Sequence, residues 1–96
     1  MKSTPILTFN LDINKYEDEI TMKGYCSNVI VELPDSSKYK VSFYDPVRLS
    51  QDLENEKYIA EPGLIIIERL TIKEMQYAVN QLWQDEFFNQ LKSVTG

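Results

Sequence analysis

From Ile6 to Ile13 the apolar residues Leu7, Phe9, Leu11 and Ile13 alternate with Thr8, Asn10 and Asp12. A period of two marks a half-buried strand, so a first strand is predicted over 6–13. Asn14 to Asp18 is polar and reads as a turn. Ile20, Met22 and Gly24 then alternate with Thr21, Lys23 and Tyr25, which gives a second, weaker strand. A short helix over 15–22 is the competing assignment for that segment.

The next unit is a hairpin. Val29-Ile30-Val31-Glu32-Leu33 is rich in β-branched residues, and Lys38-Tyr39-Lys40-Val41-Ser42-Phe43 alternates strictly. Pro34-Asp35-Ser36-Ser37 lies between them: proline pre-sets its φ, and Asp and Ser bond back to nearby backbone. Asp45-Pro46 opens a helix, since aspartate is a good N-cap and proline is favoured at the first helical position. Leu49 and Leu53 share one face of it, and it should end near Lys57. Glu61-Pro62-Gly63 signals a turn. Leu64 to Ile67 is apolar without alternation, the mark of a strand buried on both faces and central in its sheet.

Thr71-Ile72-Lys73-Glu74 has capping-box spacing and starts a helix predicted to run to about Lys92. At 100° per residue, Met75, Val79, Leu82 and Trp83 form a stripe suited to packing on a sheet. After Trp83 the pattern breaks: Glu86 and Gln90 fall on that stripe, while Tyr77, Phe88 and Leu91 gather on another side, with Phe87 between. Either the helix bends near Gln84-Asp85, or its last turns need another surface. That surface is intramolecular cover or a partner or self-association face made of Tyr77, Phe87, Phe88 and Leu91.

The predicted order is β-β-β-β-α-β-α. This is an α+β fold: a mostly antiparallel sheet of four to five strands with two helices packed on one face. The helix between the fourth and fifth strands allows one parallel crossover. No linker or repeat divides the 96 residues, so a single domain over 1–96 is expected.

Charge narrows the partners. Ten Lys and Arg stand against fifteen Asp and Glu, a formal net charge of −5, and the longest basic cluster is Lys38-Tyr39-Lys40. Nucleic acid and anionic membrane surfaces are therefore not the expected partners; a basic protein suits the charge better. The start of the chain lacks the apolar core of a signal peptide, and Leu64 to Ile67 is far shorter than a membrane span. With one cysteine, Cys26, unable to form an intramolecular disulfide, a cytoplasmic location is expected.

Candidate chemistry is sparse. The chain has no histidine to activate Cys26, and a buried or incidental thiol is the expected role. Glu17-Asp18-Glu19 lacks calcium-loop spacing, and Asp52, Glu54 and Glu56 point to different sides of a helix. Gly24, Gly63 and Gly96 form no phosphate-binding loop. No catalytic residue, metal site or cofactor is assigned. The most individual string is Tyr44-Asp45-Pro46-Val47-Arg48-Leu49. It reads structurally as strand end, cap and helix start; functionally, Tyr44, Asp45 and Arg48 would rim a small-ligand site at a strand–helix junction. The expected function is a small acidic non-enzymatic protein-interaction module, in concrete form an immunity- or antitoxin-like protein that masks a basic partner. The alternative is a small-molecule-binding or regulatory domain.

Overall fold

The computed structural model describes residues 4–90. It is an α+β fold with a four-stranded sheet of β1 (Ile6–Thr8), β2 (Tyr25–Glu32), β3 (Lys38–Tyr44) and β4 (Leu64–Ile66), in spatial order β1-β2-β3-β4. Helix α1 (Ile13–Lys23) joins β1 to β2, α2 (Pro46–Asn55) joins β3 to β4, and α3 (Ile72–Gln84) follows β4 and leads to a short 3₁₀-helix (Phe87–Gln90). The first three strands pair antiparallel, and β4 pairs parallel to β3 through the α2 crossover.

The hairpin forms as its sequence directs. Ser36 donates its backbone N–H to Leu33 O at 2.9 Å, and Leu33 N–H returns to Ser37 O at 2.9 Å. Asp35 Oδ1 accepts the Ser37 N–H at 3.0 Å, the local side-chain bond that favours Asp in turns. Further along, β2 gains a residue: Ser27 and Asn28 together oppose Ser42, and Asn28 takes φ 58°. This β-bulge keeps Cys26 on the same face as Val29 and Val31, which simple alternation would not.

That face is the core. Val29, Val31, Val41, Phe43 and Ile65 are buried on the sheet, against Ile20 of α1, Met75 and Val79 of α3, and Phe88 of the 3₁₀-helix. Burying a side chain of this kind contributes about 1.5–3 kcal/mol.

Five expectations change. The strand expected over 6–13 is only Ile6–Thr8, and the segment read as a second strand is α1, the competing helix extended to Ile13–Lys23. Its apolar face is thin, since Ile20 is its one buried residue and Met22 is 87% exposed. Specific hydrogen bonds supplement it: Thr21 Oγ1 donates to Leu70 O at 2.6 Å, and Glu17 Oε2 accepts the Ile72 N–H at 2.7 Å. Glu17 thereby places a carboxylate at the N-terminus of α3, where the helix dipole favours it.

The apolar strand expected at the sheet centre is instead the edge, with Ile66 half exposed. Its lack of alternation reflects an apolar open face beside Ser42 and Tyr44 rather than two covered faces. The last helix stops at Gln84 instead of running to about Lys92. Asp85 caps it, Glu86 takes φ 61°, and the chain turns into the 3₁₀-helix. Finally, there are three α-helices, and they do not share one face. Arg48 of α2 lies 5.5 Å over the Tyr25 ring. Tyr25 and Tyr44 alternate with core-facing Cys26 and Phe43, so α2 belongs to the other side of the sheet.

Candidate functional site

The open side of the sheet carries a groove beside α2. Tyr25 begins β2 and Tyr44 ends β3; the register makes them neighbours, with ring centroids 4.6 Å apart and planes tilted by 55°. The helix follows at once. Asp45 caps it by accepting the Arg48 N–H at 2.7 Å, and Pro46 occupies its first turn. Arg48 and Asp52, one turn apart, therefore stand beside the two phenols. Arg48 Nε donates to Asp52 Oδ1 at 3.0 Å, and Nη1 donates to Lys23 O at 3.4 Å. Together with Asn55 and Glu56 these residues line a groove of about 380 Å³. A second groove of about 480 Å³ adjoins it through Tyr44 and Glu56 and is lined by the segment from Glu56 to Glu61.

Tyr44 is the most perturbed group here. Burial raises its phenol to about 12; the neighbouring Tyr25, Asp52 and Glu61 add to the rise by opposing a second negative charge, and hydrogen bonding to Asp52 favours the protonated phenol. Tyr44 is thus a neutral hydroxyl at physiological pH, able to donate or accept, set among carboxylates.

Of the three residues expected at a strand–helix site, Tyr44 and Arg48 do line one groove. Asp45 serves as the cap, and its carboxylate faces Gly24. Tyr25, the partner ring, was missed. Counting back from the Glu32–Lys38 pair without a bulge matches Tyr44 with Cys26, and the bulge shifts the match to Tyr25. The available signal was Asn28, a residue type that tolerates left-handed backbone.

The C-terminal aromatic face is not one surface. Phe88 is 1% exposed and packs on Tyr39 at 5.3 Å between ring centroids, so it belongs to the core and cannot present itself to a partner. Phe87 meets Phe88 edge-on at 5.4 Å and is half-buried, whereas Tyr77 is 62% exposed. Leu91 lies outside the described residues. Cys26 is buried, and burial pushes its thiol above the ordinary value.

Among the described residues, no group of three or more His, Cys, Asp or Glu is arranged to hold a metal ion, and no helix is long and apolar enough to cross a membrane. Fold and groove together define a small α+β protein with its apolar core on one sheet face and α2 with its groove on the other. Comparison with protein-family models, curated proteins and solved structures finds no match to this chain.

Proposed function

We propose that this chain is a small non-enzymatic interaction module that binds a basic partner protein through the groove beside α2. One observation carries the reading. Among the residues lining the 380 Å³ groove, the single cation, Arg48, is already paired with Asp52 and bonded to Lys23 O. The carboxylate of Glu56 remains for an incoming cation. An exposed carboxylate without an ion-pair partner among the described residues suits the guanidinium or ammonium of a partner Arg or Lys. Glu54, also on α2, is exposed and adds negative charge to the approach. An immunity- or antitoxin-like role, masking a basic protein, is the concrete form of this proposal.

The test is parallel capture from lysate of the native source after nuclease treatment, with wild-type protein and the variant Asp52→Lys/Glu54→Lys/Glu56→Lys as bait. The expected result is a stoichiometric basic protein retained by the wild type at low salt and lost by the folded variant. Equal recovery on both baits overturns the assignment to α2.

A further inference from the structure

A third cavity opens on the same sheet face, with a volume of about 270 Å³. Ser42 of β3 forms its floor. Ser42 is only 9% exposed and lines the cavity. Ser27 and Asn28, the β2 bulge that opposes Ser42, form one side, with Tyr25 next to them. Glu61 and Pro62 form the other.

The close approach of that wall is built into the sequence. Gly63 has φ 79°, and a Cβ there would come within 2.6 Å of Lys40 O. Gly63 O in turn accepts the Ser42 N–H at 3.1 Å. Only glycine lets the turn lie this close to β3. A bulge on one strand and a glycine-dependent turn on the other side thus frame one polar hollow, an arrangement bulges commonly serve next to binding sites.

Two opposite charges line this hollow, Lys40 and Glu61, and neither joins an ion pair among the described residues, where the ion pair found is Arg48–Asp52. Neutral hydrogen-bonding residues line the same hollow: Ser42, Ser27 and Asn28. A ligand with only one charge would satisfy one of these two groups and leave the other to water. A small zwitterion satisfies both. We propose that this cavity binds a free α-amino acid with a compact side chain, its carboxylate toward Lys40 and the Ser42 hydroxyl, its ammonium toward Glu61. The charged groups of this site are Lys40 and Glu61 rather than Asp52, Glu54 and Glu56, so the two readings are tested by different substitutions, although Tyr25 lines both hollows.

The experiment is an NMR titration of the ¹⁵N-labelled full chain with glycine, L-alanine and L-serine. L-alaninamide, which keeps only the cation, and N-acetyl-L-alanine, which keeps only the anion, are the comparison probes. Saturable shifts are expected for the backbone amides of Ser27, Asn28, Ser42 and Gly63, and each single-charge analogue should bind at least about tenfold more weakly. The exposed-site variants Lys40→Gln and Glu61→Gln should keep the native spectrum and each lose about tenfold in affinity for alanine. No saturable shift up to about 10 mM amino acid, analogues that bind as tightly as alanine, or charge variants that bind as the wild type does would each overturn the proposal.

Discussion

Gly24 and Asp45 join the end of α1 to the start of α2. Gly24 ends α1 with φ 70°, its N–H donates to Ile20 O at 2.9 Å, and its carbonyl accepts the Asp45 N–H at 2.9 Å. A Cβ on Gly24 would lie 2.5 Å from the Asp45 carboxylate. Gly24→Ala therefore combines left-handed strain with a clash and should cost about 1–3 kcal/mol in urea unfolding. Asp45→Ala should cost about 1 kcal/mol through the lost cap. The double variant should lose less than the sum, because removing the carboxylate removes the clash. Strict additivity would show that the two residues do not meet. Tyr44 supplies a pH prediction. Its phenol rises from 10.0 to about 12 on folding, so between these values the folded state holds the proton more tightly than the unfolded chain. Stability linked to Tyr44 is fully present below pH 10 and is lost as pH rises toward about 12. Tyr44→Phe should flatten that part of the unfolding free energy–pH curve relative to wild type; identical alkaline slopes would contradict it.

At the scale of elements, what was legible depended on whether the determinant was local. The hairpin was readable because its turn chemistry lies within the turn, and α2 because Asp45 and Pro46 act on adjacent backbone. The start of α3 was readable for the same reason: Thr71 Oγ1 accepts the Glu74 N–H at 3.1 Å. Helix α1 was legible only as the competing assignment over 15–22, because much of its support comes from Thr21 and Glu17 bonding to Leu70 and Ile72, far away in sequence. The edge position of β4 was likewise hidden, since an apolar run does not record which side of a sheet is left open. The broken stripe after Trp83 was a true signal. It marks the turn at Asp85-Glu86, which swings Phe88 back onto Tyr39 and separates it from Tyr77. Phe88→Ala should accordingly cost about 3–5 kcal/mol, enough to unfold a marginal domain. Tyr77→Glu should change stability by no more than about 0.5 kcal/mol and leave the sedimentation mass unchanged. A mass that falls in Tyr77→Glu would show that α3 carries a self-association surface after all.

The whole molecule divides its work between the two sides of one sheet. The apolar residues of β2 and β3 face α1, α3 and the 3₁₀-helix and make the core. The residues between them, Tyr25, Lys40, Ser42 and Tyr44, face the side where α2 buries none of its own residues. The groove itself was half legible: Tyr44 and Arg48 belong to one local string, but Tyr25 enters through a bulge that only the folded register reveals. The central claim is that the carboxylates on the α2 side, and not acidity in general, direct binding. The measurement is the association rate of the captured basic partner over a salt series. It compares wild type with Glu54→Lys/Glu56→Lys at the C-terminal end of α2 and with Asp18→Lys/Glu19→Lys on α1, which makes an equal change in net charge. The account predicts that the α2 pair slows association about tenfold or more and flattens its salt dependence, whereas the α1 pair has a much smaller effect. Equal slowing by both pairs, or by neither, would contradict it.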